Sequence, residues 1–170
     1  MELLCMEYVF ESPVGRLLLG FTGDTLTTLR LVENPHLEPS SPRDEAENVI
    51  AWLRDYFAGH NPPTSSLNYK TRGSSLQERV WKTLDDIPYG YCVTLSFLTQ
   101  MLAPDTRKRR LLFQAVAKAL ACNPLLIISP CHRVIRSSGE IGEYAGGRAM
   151  KCALLKIEGS KIPGLDSSAG

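Results

Sequence analysis

Asn123-Pro124-Leu125-Leu126-Ile127-Ile128-Ser129-Pro130-Cys131-His132-Arg133-Val134-Ile135 sets a cysteine beside a histidine just after a short apolar run. A cysteine attacks as its thiolate, and an ordinary thiol pKa of about 8.5 leaves only a minority ionised at neutral pH. A nucleophilic Cys131 therefore needs a base or a positive field close by. In an extended segment neighbouring side chains point apart, so His132 would take the thiol proton through a bridging water. An acid from elsewhere in the chain must then hold the imidazole in the right tautomer. The expectation is a sulfur kept ionised by this relay. Read alone, the same pair also fits a packed thiol and a packed imidazole.

Upstream of this stretch the pattern is helical. Ser75-Leu76-Gln77-Glu78 reads as a capping box opening a helix with Val80, Trp81 and Leu84, which must stop near Pro88. A short helix is expected over Ser96 to Leu102, closed by Pro104, and a second one, capped by Asp105 or Thr106, runs to about Ala121. Two short helices with a tight polar turn form the skeleton of a helix-turn-helix. On the second helix Leu112, Val116, Ala119 and Leu120 should face inward, and Arg110, Gln114, Ala117, Lys118 and Ala121 outward. Small residues let a helix sit close to a nucleic-acid groove while cations reach phosphates, although an ordinary solvated face has the same composition. Downstream, a last helix is expected over roughly Gly147 to Ile157.

The first third reads as strands and one helix. Tyr8-Val9-Phe10, Arg16 to Gly20 and Leu26 to Leu31 are strand-like, with Ser12-Pro13-Val14-Gly15 and Thr22-Gly23-Asp24 as turns. A proline-rich loop leads to Ser41-Pro42-Arg43-Asp44, a helix start with Ser41 as N-cap, and Val49, Leu53, Tyr56 and Phe57 supply the apolar face. The expected organisation is an α/β domain over 1–60, a Pro/Ser/Thr-rich linker over 61–75 and a mainly helical domain over 76–170.

Charge follows the same division. Residues 1–70 carry −5 and residues 71–170 carry +6, although the whole chain of 170 residues carries only +1. A basic second half beside an acidic first half points to a polyanion met by the second half. The five cysteines are scattered, odd in number and without a C-x-x-C pair, which argues against a disulfide framework and against a zinc site. No metal is expected, and Cys92, Cys122 and Cys152 read as small packing residues. No run approaches the ~20 apolar residues of a membrane span, and Met1 to Glu7 shows no secretory leader. The expectation is a soluble protein of the cytoplasm, or of the nucleus in a eukaryote, making no membrane contact.

Taken together, Asn123-Pro124, Pro130-Cys131-His132-Arg133-Val134-Ile135, Gly142-Glu143-Tyr144-Ala145-Gly146-Gly147, Lys151 and Leu154-Leu155-Lys156-Ile157-Glu158-Gly159 resemble the O6-alkylguanine-DNA alkyltransferases. Val80-Trp81 with Ile87-Pro88-Tyr89-Gly90 matches that family's entry to its DNA-binding domain, and Ser12-Pro13-Val14-Gly15 its N-terminal hairpin. The resemblance is dense from about Leu76 to Gly159 and thin before it. It implies a small RNase H-like N-terminal domain bracing a winged helix-turn-helix-like domain. It implies transfer of the alkyl group from O6-alkylguanine, or O4-alkylthymine, in double-stranded DNA to Cys131, once per molecule, by a monomer without a cofactor. Carried over by position, His132 is the water-linked base, Glu158 its orienting acid, Asn123 the hinge and Arg133 a structural arginine. Asn123, Leu95, Leu120, Val134, Tyr144, Ala145 and Lys151 border the substrate pocket, and Phe113, Gln114, Ala115, Ala117 and Lys118 face DNA.

The chain departs from the family in three places. Gln114 stands where a wedging arginine fills the gap left by the rotated nucleotide, and Phe113 offers an apolar substitute. Leu95 replaces a tyrosine whose hydroxyl assists rotation, with Tyr91 as a nearby hydroxyl. The turn between the helices is longer and carries Arg107-Lys108-Arg109-Arg110, four cations placed to meet phosphates. Gln114 and Leu95 leave open a sensor that binds alkylated DNA without repairing it, although relatives of that type lack the cysteine. A thiol hydrolase or redox protein would explain Cys131 and His132 but not the basic half or the helix pair.

Overall fold

Three consecutive leucines, Leu17-Leu18-Leu19, are buried because their strand is covered on both faces. In the computed structural model, which describes residues 5–37 and 42–162, they lie on β2 (Gly15–Thr22), between β1 (Cys5–Ser12) and β3 (Thr25–Leu31) in an antiparallel meander. The register pairs Tyr8 with Leu19 and Phe10 with Leu17, so these four share one face. Helix α1 (Asp44–Phe57) lies over that face, with the Arg54 guanidinium 6.0 Å from the Phe10 ring centroid. On the other face Leu18 packs with Val9 and Val32. The expected N-cap of α1, Ser41, lies outside the described residues. The helix starts at Asp44 with Arg43 as N-cap and no side-chain cap bond; Asp44, Glu45 and Glu47 complement the dipole instead.

The chain divides into two compact units between Arg72 and Gly73. Within the first, the segment read as a linker runs beside the sheet. Leu26 donates to the Asn68 carbonyl and accepts from the Lys70 N–H, and Trp52 Nε1 donates to the Pro63 carbonyl at 3.2 Å. That pairing covers part of an edge strand that would otherwise expose free backbone groups.

The second unit is mainly helical: α2 (Ser75–Leu84), α3 (Leu95–Leu102), α4 (Thr106–Ala121) and α5 (Arg148–Ile157). The capping box of α2 forms one residue earlier than expected. Ser74 and Gln77 exchange the two bonds, at 3.2 and 2.9 Å, in place of Ser75 and Glu78. Both pairs satisfy the spacing; Gly73 decides between them, because a Cβ there would stand 2.6 Å from Gln77 Oε1 and 2.7 Å from the Trp81 ring. Thr94 caps α3, and Asp105, not Thr106, caps α4 by accepting from Arg107 N at 3.0 Å. Trp81, Leu84, Leu98, Val116 and Ala119 form the buried centre of the three packed helices. Two very short strands, β4 (Val93–Thr94) and β5 (Val134–Ile135), pair in parallel and bring the start of α3 beside the segment after the cysteine. Two residues carry no readable periodicity, so this pairing was invisible in the sequence. Among the described residues no helix is long and apolar enough to cross a membrane.

Trp81 Nε1 donates to the Ala119 carbonyl at 2.9 Å inside this centre and locks α2 to α4. Trp81→Phe keeps most of the volume but leaves that carbonyl, among the described residues, with the longer bond from Cys122 N alone, at 3.3 Å, and removes the tie between α2 and α4. The expected loss is about 1–2 kcal/mol of unfolding free energy, read as a lower urea midpoint at unchanged m-value.

Candidate active site

Directly after α4 the backbone turns back on itself around Asn123. Its Oδ1 accepts from Leu125 N at 3.0 Å, and its Nδ2 donates to the Ser129 carbonyl at 2.8 Å and to Cys131 Sγ at 3.0 Å. The loop between is tight enough to hold Ile127 at φ 73°, an unfavourable conformation for a β-branched residue. Such a residue costs of order 1–3 kcal/mol and persists only where its surroundings over-determine it. Here the Asn123 bonds, the Ser129 N–H to Leu125 carbonyl bond and full burial of Ile127 do so.

Cys131 to Arg133 form a single 3-10 turn, not the extended segment expected, and both Cys131 and His132 are buried. His132 Nε2 lies 2.6 Å from Glu158 Oε1. Arg133 grips the same carboxylate with both arms of its fork, Nε to Oε2 at 2.9 Å and Nη2 to Oε1 at 3.0 Å, and donates from Nη1 to the Ile87 carbonyl at 2.7 Å. Gly90 N adds a bond to Oε2 at 3.3 Å. Burial works to raise the Glu158 pKa, but the bonds from His132 and Arg133 overcome it and hold the group at about 2. A carboxylate that stays ionised assigns the imidazole proton to Nε2 and makes Nδ1 the basic nitrogen. Burial lowers the His132 pKa against the pull of Glu158, so the ring rests neutral and can accept a proton.

The thiol departs from expectation. Burial pushes Cys131 up to about 11, against the Asn123 bond and the Lys151 charge, so the resting group is a thiol and not a standing thiolate. Its hydrogen bond among the described residues comes from Asn123 rather than from His132. Lys151 is itself buried, and burial brings its pKa down to about 8. Its ammonium donates to the Val134 carbonyl at 2.7 Å and to the Glu143 carbonyl at 3.2 Å.

Cys131 lies on a cleft of about 330 Å³. Leu95, Leu120, Val134, Tyr144, Ala145 and Lys151 line it, as read from the sequence, whereas Asn123 acts from behind through the sulfur and the loop. Ala117 also lines it; so do Ala121, Ile135, Arg136, Ile141, Gly142 and Glu143, which the sequence reading did not place there. Tyr144 stands edge-on to the His132 ring, 6.3 Å between centroids. It reaches there past Gly146, where a Cβ would come within 2.4 Å of Met150 Sδ and 3.0 Å of Tyr144 Cε1. Tyr91 is 67% exposed and lines a neighbouring groove rather than the cleft itself. Phe113 is half-buried in a shallow cleft with Ser96, Arg110 and Gln114. Gln114, Lys118, Arg107, Lys108 and Arg110 are exposed, and Ala115 is half-buried. Arg109 is engaged in the turn, donating to the carbonyls of Ala103 at 3.3 Å and Pro104 at 2.8 Å. Of the other cysteines, Cys152 is buried and Cys92 half-buried, but Cys122 is exposed at the end of α4. Among the described residues no group of three or more His, Cys, Asp or Glu side chains could hold a metal ion.

A family model described as the DNA-binding domain of 6-O-methylguanine DNA methyltransferase matches residues 75–160. The methylated-DNA–protein-cysteine methyltransferase of Mycobacterium bovis is 37% identical over 90% of this chain and 92% of its own length. The crystal structure of Mycobacterium tuberculosis O6-methylguanine methyltransferase superposes with a TM-score of 0.76 at 32% identity, covering 94% of this chain and 96% of that one. The structure of Mycobacterium tuberculosis OGT in complex with DNA gives 0.75 at 33% identity over 96% and 99%.

Two pH dependences follow from the buried charges. Glu158 is held at about 2 against an ordinary 4.5, so its stabilisation is complete above pH 4.5 and is lost as pH falls towards 2. It is worth on the order of a few kcal/mol. Glu158→Gln should lower stability at neutral pH and flatten that acid limb, as followed by denaturant unfolding at stepped pH. Cys131 labelling by iodoacetamide should keep rising with pH towards about 11, and Asn123→Ala should move the rise still higher. A plateau near neutral pH would contradict a resting thiol.

Proposed function

From the premise that this chain belongs to the methylated-DNA–protein-cysteine methyltransferase family, we propose that it repairs DNA by taking the alkyl group from O6 of a damaged guanine onto Cys131 Sγ. The observation that carries the reading is the junction of a buried thiol, a cleft of about 330 Å³ with mainly apolar walls and a neutral imidazole backed by a fixed carboxylate. The target carbon sits in a stacked base pair, so the nucleotide must be rotated into the cleft, at a cost of a few kcal/mol. In the displacement the Sγ–C bond forms as the C–O6 bond breaks. His132 Nδ1 takes the thiol proton through a water, and the departing guanine, which needs one proton to become the normal base, receives it in turn. No oxidant, reductant or cofactor enters the balance. The thioether has no leaving route, so each molecule acts once.

The high resting pKa of Cys131 suits this chemistry. A thiol that gives up its proton only when an electrophile fills the cleft is protected from adventitious oxidation and alkylation. In this reading Glu158 fixes the tautomer of His132, and Asn123 aims the sulfur. The α3–α4 pair is a helix-turn-helix of the winged type entering the minor groove, and the first unit is RNase H-like. Arg107, Lys108, Arg110 and Lys118 meet phosphates, while Arg109 braces the turn. O4-alkylthymine is a second substrate if the cleft accepts a pyrimidine.

Incubation with a duplex carrying one O6-methylguanine should add one methyl group to the intact mass, on the Cys131 peptide, with a burst of one equivalent and no turnover. Cys131→Ala should bind the duplex and leave the lesion in place. Binding without any mass change in the unaltered protein would instead mark a sensor.

A further inference from the structure

Among the described residues lining the cleft, two are cations, Lys151 and Arg136. Lys151 is at the buried end, with two of its three N–H donors engaged by the Val134 and Glu143 carbonyls. Arg136 is at the open end, its side chain 56% exposed. The walls contributed by α3 and α4 are Leu95, Ala117, Leu120 and Ala121, which offer no charge. Gln114, where a charged wedge would stand, is neutral.

We propose that Arg136 grips a backbone phosphate of the extruded nucleotide and so holds it in the cleft, a binding role that rests on the alkyl-transfer reading above. A nucleotide whose base enters the apolar interior leaves its phosphodiester at the mouth, where the exposed guanidinium is. The arginine stem is placed there by the backbone beneath it. Gly142 has φ 78°, and a Cβ on it would lie 2.9 Å from Arg136 Cγ, so a glycine is needed for the stem to cross at that level. The Arg136 backbone is tied to the same turn: its N–H donates to the Glu140 carbonyl at 2.8 Å and its carbonyl accepts from Gly139 N at 2.9 Å, which fixes the base of the side chain. Among the described residues the head is paired with Glu140, at 3.5 Å between two exposed groups. Exposed pairs of this kind are worth little, whereas a guanidinium on a phosphate makes short, bidentate, charge-assisted bonds. Exchange of Glu140 for a phosphate is therefore favourable. Glu143, also exposed on the cleft, repels a phosphate and confines it to the Arg136 side.

The test compares two substrates for Arg136→Gln. One is the duplex with O6-methylguanine; the other is O6-benzylguanine as the free base, which carries no phosphate. The duplex reaction should slow roughly tenfold or more at subsaturating DNA, and the salt slope of duplex binding should fall by about 0.9. Alkylation by the free base should keep its rate, which also reports an intact fold. Arg136→Lys should recover part of the loss, and Glu140→Gln should strengthen duplex binding by freeing the guanidinium. Equal slowing on both substrates, or no slowing on either, would overturn the assignment. Failure of the unaltered protein to take a methyl group from the duplex would sink the alkyl-transfer reading instead, so the two failures are distinguishable.

Discussion

A carboxylate at the end of α5 organises the second unit. Glu158 is buried and ionised at the C-terminus of a helix, where the macrodipole disfavours negative charge, so it persists only with strong compensation. Arg133 supplies the charge through a two-armed grip, and His132 and Gly90 add donors. Because Arg133 also holds the Ile87 carbonyl, one charge cluster ties the segment after α2, the turn carrying the nucleophile and the end of α5. Tyr89 reinforces the same junction, its hydroxyl donating to the Ile157 carbonyl at 3.2 Å. Removal of either charge would leave the other buried without its partner, which costs more than the intact pair contributes.

The nucleophile depends on a second device. Asn123 uses one side-chain amide to end α4, to hold a loop containing a left-handed isoleucine and to donate to the sulfur. The same residue thus links the end of α4 to the Cys131 sulfur. Burial keeps that sulfur protonated and the imidazole next to it neutral, so the pair itself carries no charge into the packed interior.

Gln114 and Leu95 bear on access more than on chemistry. Among the described residues neither bonds the carboxylate, the imidazole or the sulfur, and Leu95 walls the cleft. Positive charge elsewhere in the second unit lies on α4 and, at the cleft, on Arg136.

Much of this was legible in the residues themselves. The alternation and turns of residues 8 to 31, the helix boundaries at Pro88 and Pro104 and the Cys131-His132 pair with a distant acid are all local signals, fixed by backbone sterics and capping chemistry that operate within a few residues. The charge imbalance between the halves likewise needs only counting. Other features depend on what the chain brings together from afar. The choice of Ser74 over Ser75 turned on the close approach of Gln77 and Trp81 to Gly73, the parallel pairing of Val93 with Val134 joins residues with no local pattern, and Arg109 bonds two carbonyls just after α3. The protonation of Cys131 was also beyond the sequence, because a thiol's pKa follows from how much water and charge surround it, and those are properties of the packed cleft. Residue types determined which chemistry was available; tertiary burial decided its resting state.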